Sequence, residues 1–174
     1  GVSKRLEDHI ELVKDLLQRL LDAGLKVKNS KAWLFMRRAT VCGAVVGSGR
    51  LTVPNDTLAK LVTLEFPNTI ATLRSRIAIL GYYSRHAPLL MATLAPFHRL
   101  SAQSGSVAGA CKRAGIELAW LKEQWDVACS KFAEVQPLWA PDPDATMHVD
   151  TDASLSGLGA VLYQLDANGE RRVV

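Results

Sequence analysis

Residues 68–88 read NTIATLRSRIAILGYYSRHAP, and this stretch decides the fold. It follows a break at Phe66-Pro67 and opens with Asn68 and Thr69, two residue types that commonly cap the start of a helix. Pro88 lies where a helix usually stops, because the residue before a proline avoids helical geometry. The stretch therefore predicts a helix that begins after Asn68 or Thr69 and ends at Tyr83 or Arg85.

Four further segments have helical character. The first has apolar residues three and four apart between Leu6 and Ala23, which is typical of an amphipathic helix, and Gly24 ends it. The other three are predicted at residues 57–63, 89–100 and 120–135, the last with Trp120 and Trp125 in the core. Two segments are predicted to be irregular: the Ser-, Gly- and Ala-rich linker or exposed loop 101–115, and the proline-containing stretch 137–143.

Segments of β character lie toward both ends of the chain. Residues 25–28, 33–38 and 40–46 predict short strands with a basic face. Residues 147–151 alternate between apolar and polar types, residues 157–163 are an apolar run, and Asn168-Gly169 is a typical hairpin turn. The elements together favour an α+β fold whose last part opens as an antiparallel meander.

Positive charge is concentrated in the front of the chain. The net charge of +4 combines excesses of five positive charges in residues 1–50 and four in residues 51–118 with five negative charges in residues 119–174. This distribution is typical of a polyanion-binding part joined to a part that holds cations. Ordinary surface charge explains it equally well.

The cysteines indicate a reducing compartment. Cys42, Cys111 and Cys129 are widely spaced, form no Cys-x-x-Cys pair and accompany no secretory leader, so we expect an intracellular protein, cytoplasmic or nuclear. The apolar runs are interrupted before they reach about 18 residues, so no membrane span is expected. The chain starts without Met and stops at Val173-Val174, which suggests that both ends are cut from a longer polypeptide.

Two motifs match a known pattern in both order and spacing. Leu73-Arg74-Ser75, followed by Tyr82-Tyr83, Arg85 and Pro88, is similar without a gap to a thumb-helix motif, L-R-S-F-L-G-L-x-x-Y-Y-R-R-F-I-P. Residues 151–154 (TDAS) and 159–164 (GAVLYQ) resemble the T-D-A-S and G-A-V-L-x-Q motifs of a ribonuclease H domain. The family that carries both is that of gypsy-like LTR retrotransposon Pol polyproteins, and weaker matches extend the resemblance over nearly the whole chain.

The resemblance implies an α+β fragment of a reverse transcriptase joined to the first hairpin of a ribonuclease H-like fold. Residues 1–53 would form the end of the palm with a primer-grip-like hairpin, and residues 54–100 the helical thumb. Residues 101–145 would be a linker or connection, and residues 146–174 the truncated start of the ribonuclease H-like domain. The polymerase aspartates of the Y-x-D-D motif would precede this chain, so we expect the fragment alone to be inactive.

Nucleic-acid contacts follow from the same resemblance. Arg74, Ala78 and Tyr82 are spaced i, i+4 and i+8, so they share one helix face, which in the family follows the minor groove of the primer–template duplex. The hairpin around Gly43 corresponds to the one that holds the primer end, and two lysines close by in sequence can meet phosphates, Lys28 and Lys31. Simpler interpretations are a packed tyrosine, solvated charges, and a glycine required by a bulge or by close packing.

Asp152 is the residue from which we expect chemistry. In ribonuclease H folds this position supplies the first metal-binding carboxylate, and two Mg²⁺ ions activate water and stabilise the leaving oxygen. The other acids would lie after Val174, and without the resemblance Asp152 would more often be a turn cap. Asp150 points to the same side of a regular strand but is expected to be solvent-facing or a neighbouring charge, and His148 is expected to be structural.

The expected partners are an RNA–DNA hybrid or primer–template duplex and the remainder of the Pol polyprotein, with no membrane. A hypothesis of a different class is a domesticated, non-catalytic scaffold or RNA-binding subunit of a larger assembly. The missing catalytic ends and thumb positions that depart from the motif, such as Ala78 in place of Gly, motivate it. Flanking sequence with intact catalytic acids would favour the polymerase.

Overall fold

The computed structural model describes residues 5–154 and 157–174. Helices and strands alternate in blocks along the chain, and three 3-10 turns, Asn29–Lys31, Ser84–His86 and Lys131–Glu134, connect them. The α-helices are α1 (Leu6–Asp22), α2 (Asn55–Val62), α3 (Ile70–Tyr82), α4 (Leu90–Ser101), α5 (Val107–Ala114) and α6 (Leu118–Ser130). The strands are β1 (Arg38–Val41), β2 (Ala44–Gly47), β3 (Arg50–Thr52), β4 (Leu138–Trp139), β5 (His148–Ser154), β6 (Gly157–Leu165) and β7 (Arg171–Val173).

The chain divides into two compact units between Ala39 and Thr40. The first contains α1, which ends as predicted: Gly24 has a positive φ of 70°, and its N–H donates to the Leu21 carbonyl at 2.9 Å. The strands predicted at 25–28 and 33–38 were wrong, since only Arg38 of these residues lies in a strand, as the first residue of β1. A 3-10 turn separates them, and an alternating pattern makes a strand only where a neighbouring strand accepts its hydrogen bonds.

The second unit has a helical core formed by α3, α4 and α6. The predicted α3 is confirmed: it starts at the Thr69 cap, whose hydroxyl accepts the Thr72 N–H at 3.1 Å, and ends at Tyr82. Its inward face consists of Ile70, Leu73, Ile77 and Leu80, all buried. Because these residues follow helical spacing, the opposite face of α3 remains outside the core.

Residues 101–115, predicted as a linker or loop, contain α5 instead. Ser106 caps the helix by accepting the Gly109 N–H at 3.1 Å, and Gly115 ends it with a φ of 66°. Three small side chains face the core, Val107, Ala110 and Cys111. The serines and glycines that suggested a linker therefore include helix boundaries, and a helix of two turns is too short to show a clear apolar period.

The strands form two antiparallel sheets with the orders β1-β2-β3-β4 and β5-β6-β7. The stretch 137–143 was predicted to be irregular, but it contains strand β4. Leu138 and Trp139 stand between prolines, and because neither is a proline they can pair with Leu51 and Arg50 of β3. The meander at the end is confirmed, with Asp152 opposite Gly159. The α+β class is thus correct, whereas the four domain bounds remain predictions.

The turn between β6 and β7 is held by Asp166. Its carboxylate accepts the N–H groups of Asn168 and Glu170, both at 2.9 Å, and pairs with Arg172 at 3.3 Å. These contacts lower the pKa of the Asp166 carboxyl, and the hydrogen bond from the Glu170 N–H has the largest effect. The Asn-Gly turn predicted from sequence is present, with Gly169 at a φ of 78°.

His86 is buried beside the segment that leads into β4. Its Nδ1 lies 3.0 Å from the Gln136 carbonyl, which can only accept, so Nδ1 carries the proton; the Gln136 N–H in turn donates to the His86 carbonyl. Burial has the largest effect on the pKa of His86 and lowers it from its ordinary value. The hydrogen bond to Gln136 raises this pKa, and the positive charge of Arg85 lowers it. The fold therefore favours the neutral imidazole over the protonated form relative to the unfolded chain.

We expect the stability of the protein to fall as the pH drops below about 6.5, where the unfolded chain protonates His86 and the folded chain does not. The slope attributable to one group is about 1.4 kcal/mol per pH unit at most. Urea unfolding between pH 5 and 7.5 measures it. His86→Asn should flatten this slope, whereas His98→Asn, at an exposed position, should retain it; equal slopes in both variants would contradict the assignment.

Candidate nucleic-acid interface

The end of α3 is docked on the turn between β1 and β2. The Tyr82 hydroxyl donates to the Cys42 carbonyl, and the Tyr83 hydroxyl donates to the Gly43 carbonyl at 3.2 Å. The two tyrosine rings meet edge to face, 4.8 Å apart at 88°. The structure thus brings together two residues that the resemblance placed in the nucleic-acid site, Gly43 and Tyr82.

Gly43 occupies a position that only glycine fits without strain. Its φ is 77°, and a Cβ at this position would lie 2.9 Å from the Tyr83 hydroxyl. Cys42, with a φ of 48°, completes a turn in which both residues are left-handed. The close-packing interpretation of Gly43 is therefore correct. In the sequence, Tyr83 is recognisable only as part of the thumb-helix motif. The structure shows that its hydroxyl group leaves no room for a side chain at position 43.

The outer face of α3 carries the three predicted duplex-contacting residues. Ala78 is exposed, and Tyr82 remains 46% exposed although its hydroxyl is engaged. Arg85 lies over the Tyr82 ring, 5.9 Å from its centroid. A tyrosine held at its tip and open along its ring presents a fixed surface, so the interpretation that it packs inside the bundle is wrong.

Arg74 is exposed but not simply solvated. Its guanidinium donates to the Ser101 carbonyl and to the Gln103 carbonyl, both at 2.7 Å, and so ties α3 to the end of α4. An arginine has five N–H donors, and these bonds use two, so others remain for a phosphate. Because these partners lie 27 and 29 residues away, no local pattern could have indicated this second role.

The two lysines belong to the first unit. Lys28 precedes the 3-10 turn Asn29–Lys31, and its carbonyl accepts the Lys31 N–H at 2.9 Å. Both side chains are exposed. Their contact with phosphates stays a prediction.

Asp152 lies on β5 at the edge of a shallow depression. The depression is lined by neighbouring residues of β5 and β6, namely Thr151, Asp152, Ala153, Leu158, Gly159 and Ala160. The Asp152 side chain is exposed, and Gly159 opposite it adds no bulk. The carboxylate is thus accessible, and its role as a metal ligand stays a prediction.

Asp150, two residues earlier, is already paired. Arg171 donates to one of its carboxylate oxygens at 2.6 Å, and the Tyr163 hydroxyl donates to the other at 3.2 Å. The Arg171 guanidinium also lies 4.5 Å from the Tyr163 ring centroid, and His148 stacks on the same ring at 5.3 Å. Asp150 is therefore exposed, as expected, and also forms an ion pair, while His148 packs on an aromatic ring.

A magnesium site does not fit these residues alone. Within residues 5–154 and 157–174, no group of three His, Cys, Asp or Glu side chains could hold a metal ion. Mg²⁺ takes six oxygen ligands, of which carboxylates usually supply one or two, and a two-ion site needs several converging carboxylates. Asp152 could act only as one ligand among others from elsewhere in a longer protein.

The comparisons with known proteins add evidence on the fold. No family model and no curated protein matches the chain. Solved structures of the foamy viral protease-reverse transcriptase match with a TM-score of 0.73 at 16% identity, one in complex with an RNA/DNA hybrid and two with double-stranded DNA. The matches cover 98–99% of this chain but only 22%, 29% and 34% of those chains.

This likeness shows a fold related to reverse transcriptase. It covers both the helical core and the strands at the two ends, since almost the whole chain aligns. Among residues 5–154 and 157–174, no helix is both long enough and apolar enough to span a membrane.

Proposed function

We propose that the chain is part of a gypsy-like retrotransposon Pol polyprotein and binds an RNA–DNA hybrid or primer–template duplex along the outer face of α3. One observation supports this most: Arg74, Ala78 and Tyr82 are all exposed on that face, and its end is fixed by the docked Cys42–Gly43 turn. The fold likeness to proteins solved with an RNA/DNA hybrid and with double-stranded DNA agrees with it.

The chemistry of this face suits a duplex backbone. Arg74 offers guanidinium donors to a phosphate, the small Ala78 lets the helix approach closely, and the open ring of Tyr82 can contact a sugar. None of these contacts depends on base identity, as a polymerase that copies any template requires. Both bonds of Arg74 to backbone carbonyls restrict its side chain, so less entropy is lost when it binds a phosphate.

The parent protein would carry out RNA-directed DNA synthesis and degrade the RNA strand of the hybrid. In that complete enzyme Asp152 would provide one carboxylate for Mg²⁺, and the remainder of the polyprotein would provide the other acids. The working location would be the cytoplasm or nucleus. This chain contributes the means to hold the duplex.

Arg74→Ala should weaken hybrid binding and reduce the dependence of log K on log salt by about 0.7–0.9, the loss of one phosphate contact. Fluorescence anisotropy with a labelled RNA–DNA hybrid at several salt concentrations measures both. Arg76→Ala is a matched control, because Arg76 lies on the same helix and also donates to a backbone carbonyl, that of Glu65.

Two residues along a helix correspond to about 200° of rotation, so Arg76 points away from the proposed face. We expect Arg76→Ala to keep the parent salt slope although it loses the same charge. Equal slopes for the two variants would refute the assignment of Arg74. Lack of measurable hybrid binding by the unmodified chain would instead favour the scaffold hypothesis.

A further inference from the structure

Trp139 in β4 lies between two guanidinium groups. The Cζ atom of Arg50 is 4.0 Å from its ring centroid and that of Arg172 is 4.3 Å from it. Two guanidinium groups this close cannot share one face of an indole, so each covers one face. Arg50 stands directly opposite Trp139 in the β3–β4 pair, whereas Arg172 comes from β7 of the other sheet. The indole therefore connects the two sheets.

Arg172 is held by more than this stacking. Its guanidinium pairs with Asp166 at 3.3 Å, the carboxylate that also closes the β6–β7 turn. Its Nε is buried and has no hydrogen-bond partner within the part of the chain that the structure describes. The indole and Asp166 therefore contact a guanidinium group whose set of hydrogen bonds is incomplete.

Gln164 adds a polar connection next to this stack. It lies opposite Arg172 in the β6–β7 pair, and only 5% of it is exposed. Its amide oxygen accepts the Asp142 N–H at 2.8 Å, and its amide nitrogen donates to the carbonyls of Asp142 and Ala145 at 2.7 and 3.0 Å. The chain that follows Trp139 is thereby bound to β6. On the other side, the Ala140 N–H donates to the Gly49 carbonyl at 2.8 Å.

We propose that Arg50, Trp139, Arg172 and Gln164 form a joint, the Trp139 joint, that holds the β5–β7 sheet at one orientation to the β2–β4 strands. Residues 137–145 then act as a rigid connector, although their three prolines and lack of periodicity resemble a flexible tether. The Trp139 joint involves residues of this chain alone and does not depend on nucleic-acid binding. If the proposed function also holds, the joint sets the distance along the duplex between the α3 face and Asp152.

Electron–electron distance measurements between two nitroxide labels test the joint in the full chain. Labels at Lys60→Cys in α2 and Asn168→Cys in the β6–β7 turn report on the two sides. The exposed Cys42 is replaced by Ser in the background, so that it does not take up a label. Cys111 and Cys129 are buried, and burial raises the pKa of the Cys129 thiol to about 11. Neither of these two thiols should therefore react with the label. We expect a single narrow distance distribution.

Trp139→Leu, which keeps an apolar side chain but has no π face, should broaden the distribution. It should also accelerate amide exchange in β7 about tenfold. Trp139→Phe keeps a π face, so its distance distribution should remain narrow, as should that of the control Trp120→Leu at an exposed tryptophan of α6.

If Trp139→Leu fails to fold, as judged by helical circular dichroism, the double variant Arg50→Met with Arg172→Met tests the same stack. A narrow distribution in Trp139→Leu or in the double variant, or equal broadening by Phe and Leu, would overturn the proposal.

Discussion

Replacing Trp125 with Ala should lower the free energy of unfolding by about 3–5 kcal/mol, enough to unfold much of a marginal domain. Trp125 is fully buried, and its ring meets Phe97 and Phe66 edge to face with centroids 5.3 and 6.1 Å away. Its Nε1–H also donates to the Leu64 carbonyl at 2.7 Å, so the substitution removes a well-formed hydrogen bond in addition to leaving a large cavity.

Urea unfolding followed by circular dichroism measures this effect. Trp120→Ala is the matched control, since it removes the same side chain from the same helix at a position that is 43% exposed. We expect the control to cost about 1 kcal/mol or less. Similar losses for both variants would mean that α6 does not pack with Trp125 inward.

Gly43→Ala should weaken hybrid binding about tenfold and destabilise the protein by about 1–2 kcal/mol. The stability cost arises because alanine at a φ of 77° is strained. The binding loss arises because its methyl group would displace the Tyr83 hydroxyl, 2.9 Å away, and with it the neighbouring Tyr82 ring of the proposed duplex face. Anisotropy and urea unfolding measure the two effects separately.

Gly49→Ala provides the control for backbone strain. Its φ is 69°, close to that of Gly43, but an added Cβ would meet nothing within 4 Å. It should therefore cost similar stability and leave hybrid affinity unchanged. Adding Tyr83→Phe to Gly43→Ala removes the clashing hydroxyl and should restore part of the binding. If Gly49→Ala lowers affinity as much as Gly43→Ala, strain in the hairpin and not the position of the tyrosines explains the loss.

Local signals located helices α1 and α3. The start of α3 was predictable because a Thr cap acts on a donor only three residues away, and its end because a proline follows shortly after. Helix α1 was predictable for the same reason, from apolar periodicity and a terminal glycine. Such interactions span less than two helical turns, so the sequence pattern contains them completely.

The strand predictions were wrong where pairing depends on a distant partner. Residues 25–28 alternate like a strand but have no strand to pair with, whereas two residues between prolines form β4 because β3 accepts them. Trp120 and Trp125 were both predicted to lie in the core, which is correct for Trp125 but wrong for Trp120, since Trp120 is 43% exposed. The packing of α6 against α4 determines which of the two is buried. Burial and pairing are properties of the neighbours, which local spacing does not specify.

The amino-acid sequence alone determined the α+β class, the start of α3 and the shared face of Arg74, Ala78 and Tyr82, since each follows from caps and periods within one segment. Only the tertiary structure decided that Arg74 ties α3 to α4, that Tyr83 requires Gly43, and that Trp139 joins two sheets. These contacts join residues 29, 40 and 33 positions apart along the chain. Side chains so far apart meet only when the whole chain has packed.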